Sequence, residues 1–175
     1  MDALGVPYVI IPADIDEKSI RDDNLETRAE KIARAKAEEV AKANEGIIIS
    51  ADTFSACEGK VLEKPQTRKE AKDMLNLQAD KTCILYTGFC YIDKLNGINY
   101  SKTAITKYIL RKLPEDELNK FVENNPVTEW AAAFSPAYPY QVGFIKYIEG
   151  SLTASTHGLP VELLVQCFEK SGVII

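Results

Sequence analysis

The chain has 175 residues, 46% hydrophobic and 27% charged, which is enough to bury a core as one compact unit or as one unit with two lobes around a cleft, and excludes disorder and collagen-like repeats. Its 21 basic and 26 acidic side chains leave a net charge of -5, so no partnership with nucleic acid or an anionic membrane surface is expected, and any phosphate must be gripped locally. A single histidine, His157, rules out metal sites built from two or three imidazoles and leaves carboxylates and lysines to carry the chemistry.

The N-terminal stretch MDALGVPYVIIPADIDE has no basic start, and Pro7 and Pro12 break its apolar run, so neither a signal peptide nor a membrane anchor is expected. Tyr8 to Ile11 reads as a short buried strand feeding an acidic loop, Asp14-Ile15-Asp16-Glu17. Apolar positions at Leu25, Ala29, Ile32, Ala33, Ala37, Val40 and Ala41 predict a helix capped by Asn24 and ended by Asn44-Glu45-Gly46. Gly46 to Ala51 is apolar enough for a strand covered on both faces, stopping at Asp52. Phe54 to Leu62 predicts a hairpin turning at Glu58-Gly59, and Thr67 to Leu77 a helix opened by a Thr67/Glu70 capping box. Cys83 to Asp93 and Ile98 to Leu110 predict a long antiparallel hairpin joined through Lys94-Leu95-Asn96-Gly97. Pro114 to Asn124 reads as a helix, Ser135 to Tyr140 as irregular, Phe144 to Ile148 as a strand and Leu159 to Ser171 as the last helix. The order predicts an α/β fold with a mixed, partly antiparallel sheet flanked by helices, in a single domain over 1–175. Cys57, Cys83, Cys90 and Cys167 lie far apart with no C-x-x-C pair, which points to a reduced, cytoplasmic protein.

P-loop, dinucleotide and nucleophile-elbow motifs are absent, so the candidates are charged residues at element ends. Asp52 follows the most apolar strand, where α/β sheets generally bind ligands and a carboxylate can hold a metal or orient a water; a turn-capping aspartate is the equal alternative. Asp14, Asp16 and Glu17 are hard oxygen ligands that suit magnesium, or else a solvated acidic loop. Lys36 lies among Ala33, Ala35 and Ala37, small neighbours that let a phosphate approach, and Lys64 precedes Pro65, which holds its backbone extended; both also fit ordinary surface lysines. His157 reads as a helix-entrance residue, able to donate to a phosphate or to serve structure. Trp130, Phe134, Tyr138 and Tyr140 can stack a base or pack a core.

Taken in order, Leu4 to Tyr8 leading to Asp14-Ile15-Asp16-Glu17, Ala33-Arg34-Ala35-Lys36-Ala37, Ala51-Asp52-Thr53, Glu63-Lys64-Pro65, Ala71 to Leu77, Thr87-Gly88 and Gly158-Leu159-Pro160 resemble the Maf family of nucleoside triphosphate pyrophosphatases, also named septum formation inhibitors. The resemblance covers nearly the whole chain. It implies an inosine-triphosphatase-like fold, cytoplasmic, and magnesium- or manganese-dependent hydrolysis of non-standard or pyrimidine nucleoside triphosphates to monophosphate and pyrophosphate. It makes Asp52 the base, Glu17 and Asp52 the metal carboxylates, and Lys36, Lys64 and Thr53 the phosphate-binding residues. The family also implies a homodimer. Two features depart from its pattern: the family's S-x-S-P-R-R strand and phosphate loop have no counterpart before Met1, and its G-A-Y-G-I-Q-G segment becomes Ala133 to Tyr140, with Gln141 out of register. Those departures raise an alternative, a non-catalytic nucleotide-binding or cell-division regulatory protein that keeps the fold without turnover.

Overall fold

A computed structural model describes the backbone of residues 1–174. Six α-helices and five strands are found among them: α1 (Leu25–Ala41), β1 (Ile47–Cys57), β2 (Lys60–Leu62), α2 (Arg68–Gln78), β3 (Thr82–Asp93), β4 (Ile98–Leu110), α3 (Glu115–Asn124), α4 (Pro139–Val142), β5 (Ile145–Gly150), α5 (Leu152–His157) and α6 (Val161–Lys170). The strands form one open sheet in the order β2-β1-β3-β4-β5. The α/β class with helices flanking the sheet is as expected, and the antiparallel character predicted for part of the sheet extends to all of it.

The chain divides into two compact units. The first takes Met1–Asp52, Gly88–Thr103 and the chain from Pro160; the second takes Thr53–Thr87 and Ala104–Leu159. In the first unit α1 starts where Asn24 Oδ1 accepts from the Thr27 amide at 3.1 Å, the short-range cap that Asn supplies to orphan amides. Its alanine stripe, Ala33, Ala37 and Ala41, packs on Ile48, Cys90 and Ile92. Small side chains let the helix lie close to the sheet, and Gly88 faces the α1 backbone directly. A Cβ added there would stand 2.0 Å from the Ala29 carbonyl oxygen, so only glycine fits under α1.

In the second unit Glu58 (φ 52°) and Gly59 (φ 74°) form the two-residue turn of the β1–β2 hairpin, and Cys57 pairs with Lys60. Thr67 Oγ1 accepts from the Glu70 amide at 3.1 Å, while the Glu70 carboxylate reaches one residue further back, to the Gln66 amide at 2.7 Å. The core gathers Leu62, Ala71, Leu75, Tyr108, Leu118, Phe121, Val122 and Phe144.

Four expectations need correction. Tyr8 to Ile11 is not a strand: Val9 and Ile10 are about four-fifths exposed, at 81% and 82%, because β-branched residues become a strand only beside a partner strand. β1 does not stop at Asp52 but runs to Cys57, since Ser55 to Cys57 pair with β2. The last helix does open at Pro160, as expected, but His157 ahead of it belongs to another helix: it ends α5, at the negative end, with Gly158 as left-handed cap. Cys57 and Cys83 are not separate thiols but a disulfide, with Cα atoms 4.5 Å apart, the spacing of a non-hydrogen-bonded pair on adjacent antiparallel strands. Cys90 and Cys167 are buried free thiols.

Candidate active site

Period two along β1 turns Ile48, Ser50 and Asp52 to one face. Ser50 Oγ donates to the Ala33 carbonyl at 2.5 Å, and one turn further along α1 Lys36 Nζ donates to Asp52 Oδ1 at 2.8 Å. The alanine stripe that packs α1 onto the sheet therefore also sets where Lys36 emerges. From the other side comes Glu17. Asp16 Oδ1 accepts from the Lys18 amide at 3.1 Å and opens the short 3-10 turn Glu17–Ser19, leaving Glu17 Oε1 free to meet Lys36 Nζ at 3.1 Å. Of the three acidic residues in this loop, then, Asp16 shapes the backbone and Glu17 reaches the site.

One ammonium thus sits between two carboxylates in the first unit. The Lys36 side chain is 20% exposed and that of Asp52 15%, against 49% for Glu17, so the Lys36–Asp52 contact is sheltered and the Glu17 contact is open to solvent. Burial by itself would pull the Lys36 ammonium's pKa down. The hydrogen bonds and charges of Asp52, then of Glu17, outweigh it and raise the pKa above its ordinary 10.5, so the lysine is a fixed cation at neutral pH. Two carboxylate oxygens directed at one cationic centre are also a donor set that magnesium accepts, since it takes one or two protein carboxylates and keeps its other positions for water and phosphate. Among the described residues, no group of three or more His, Cys, Asp or Glu side chains forms a closed cage.

The remaining predicted residues belong to the second unit. Thr53 follows Asp52 along β1, and its Oγ1 lies 3.1 Å from Oγ1 of the fully buried Thr87. Lys64 is exposed in the loop between β2 and α2. In the aromatic set, Trp130 lies against Phe121 and Tyr138 and Phe134 stacks on Tyr108, while Tyr138 and Tyr140 are exposed. His157 Nδ1 lies 2.7 Å from Thr156 Oγ1. Residue-level reading missed Thr87 and the close approach at Gly88, although Thr87-Gly88 stood among the motifs as an unexplained pair.

The site is thus a sheltered lysine bridging two carboxylates on a helix–strand pair of an α/β fold. The chain belongs to the Maf-like protein family, whose profile its residues 1–171 match. It is 31% identical over its whole length to a dTTP/UTP pyrophosphatase of Syntrophomonas wolfei, covering 92% of that protein. A dTTP/UTP pyrophosphatase of Syntrophus aciditrophicus is 29% identical over 98% of this chain and 83% of its own length. A 7-methyl-GTP pyrophosphatase of Nitrosococcus oceani is 26% identical over 97% of this chain and 85% of its own length.

Proposed function

We propose that this chain is an enzyme that hydrolyses nucleoside triphosphates, pyrimidine or non-standard, to the monophosphate and pyrophosphate. The observation that carries the reading is Lys36 held between Asp52 and Glu17 in a chain whose relatives are named pyrophosphatases. Asp52 acts as the base: it orients a water for attack on the α-phosphorus and accepts its proton as the bond to the bridging oxygen breaks and pyrophosphate leaves. Lys36, Lys64 and Thr53 bind the phosphates, with the lysines serving as point charges that offset the negative oxygens. Glu17 and Asp52 hold a divalent cation, magnesium or manganese, which when bound supplies further positive charge to the phosphate oxygens. Most of the acceleration in such a reaction comes from placing water and phosphate, which a rigid helix–strand pair is suited to do. The reading places the protein in the cytoplasm, where free nucleotides are pooled, as a homodimer with no nucleic-acid partner, in keeping with its net charge of -5.

The test is pyrophosphate release from a panel of triphosphates with magnesium or manganese. UTP or dTTP should be turned over, and Asp52→Ala should slow turnover about a thousandfold. Tight triphosphate binding with no release from any substrate would replace this reading with a non-catalytic one.

A further inference from the structure

Among the described residues of the second unit, Gln78 is a fully buried polar side chain with every polar atom engaged. Its Nε2 donates to the Met74 carbonyl at 3.0 Å and to the Ala132 carbonyl at 2.8 Å, and its Oε1 accepts from Tyr108 Oη at 2.8 Å. Tyr108 Oη also lies 3.2 Å from Ser55 Oγ. Burial pushes the Tyr108 hydroxyl's pKa up to about 12, so it stays a donor at any working pH. The residue at the far end of this network is in an unusual conformation. Ala132 and its neighbour Ala133 both have left-handed backbones, φ 56° and 59°, a conformation alanine rarely adopts unless its surroundings enforce it. The left-handed turn aims the Ala132 amide at the Glu63 carbonyl, 3.1 Å away. Glu63 precedes Lys64, and the Pro65 that follows is fully buried. An exposed lysine on a loop normally wanders, whereas this one is anchored on both sides.

We propose that Gln78 is a positioning residue for Lys64: through the Ala132 peptide it fixes the Glu63-Lys64-Pro65 loop so that the ammonium is presented to the substrate's phosphates. The inference rests on the phosphate-binding role given to Lys64 above. A buried glutamine that only filled space could be exchanged for methionine, of similar length and shape, with no effect on substrate binding. A glutamine that positions Lys64 cannot, because methionine leaves the Ala132 carbonyl unpaired and lets the loop relax.

The experiment is a double-mutant cycle on Gln78→Met and Lys64→Ala, read as kcat and KM for UTP or dTTP. Gln78→Met should raise KM about tenfold with kcat within about twofold, Lys64→Ala should do likewise, and the double variant should be no worse than Lys64→Ala alone, because one contact is being removed twice. Hydrogen exchange at the Ala132 amide should quicken by about tenfold or more in Gln78→Met. An unchanged KM in Gln78→Met, or penalties that multiply in the double variant, overturns the proposal. Tyr108→Phe, which removes only the hydroxyl that orients Gln78, should give a smaller rise in KM and serves if Gln78→Met fails to fold; no rise there counts against the proposal too. Should the wild type release no pyrophosphate, the hydrolytic reading fails, and the same cycle read on the Kd for UTP by calorimetry still decides whether Gln78 acts through Lys64.

Discussion

At the scale of single residues the site turns on which of two opposed effects governs Lys36. Desolvation disfavours its charge, and two carboxylates favour it; the pKa rises, so the carboxylates win. The sign of the pH dependence follows. A folded-state pKa above the unfolded value stabilises the fold fully below the unfolded pKa, here 10.5, and that stabilisation is lost as pH rises through the folded value. Lys36→Met should therefore be less stable than wild type by about 1.5–3 kcal/mol, the scale of hydrogen bonds to charged groups. That difference should be constant from about pH 7 to pH 10 and shrink above 10.5, as read by urea unfolding at each pH. A difference that disappeared near neutral pH would mean that the lysine is already neutral there, and the reading of a fixed cation would be wrong.

At the scale of elements, the placement of Lys36 depends on how closely α1 lies on the sheet, and Gly88 is the point where that closeness can be tested. An alanine there would bring its Cβ to 2.0 Å from the Ala29 carbonyl oxygen, a backbone atom that no rotamer change can move. Gly88→Ala should cost about 2–3 kcal/mol by overpacking, and because α1 must lift, it should also lower kcat although position 88 carries no chemistry. Full stability by thermal unfolding would show that the helix can shift freely and that its packing does not set the lysine. Position 88 also marks the boundary of what could be read along the chain. Period and caps predict α1, α2, α3 and the β3–β4 hairpin, because apolar spacing and cap chemistry are local. The strand at Tyr8 to Ile11 was mispredicted because β-branched residues report a preference, and strand formation needs a neighbour that local pattern does not reveal. Asp52, Glu17 and Lys36 were legible as candidates from motif order, but their meeting around one ammonium depends on the packing of α1. The Gln78 network left no trace in the sequence, since its two carbonyl partners are backbone groups that every residue possesses.

At the scale of the whole molecule the cysteines carry the sharpest disagreement between pattern and fold. Spacing in sequence separates Cys57 from Cys83 by 26 residues, yet neighbouring strands bring them together as a disulfide, while Cys90 and Cys167 remain thiols. Burial pushes the Cys90 thiol up to about 11, so it is a poor nucleophile and would not compete for the bond. Closing a loop of that length restricts the unfolded chain by about 3.5 kcal/mol in the entropic account, which for a chain of this size is about 10 °C in melting temperature. Protein prepared without reductant and unfolded in guanidinium should therefore show two titratable thiols, rising to four after reduction, and the reduced form should melt about 10 °C lower. The same measurement bears on the compartment. Four alkylated cysteines in protein lysed into a thiol-blocking reagent, against two in a parallel sample left to air-oxidise before blocking, would mean that the cell keeps the pair reduced. Two thiols from the moment of lysis would mean that the bond is part of the working enzyme. Four thiols that never fall under oxidation would show that β1 and β3 do not hold Cys57 and Cys83 in bonding geometry.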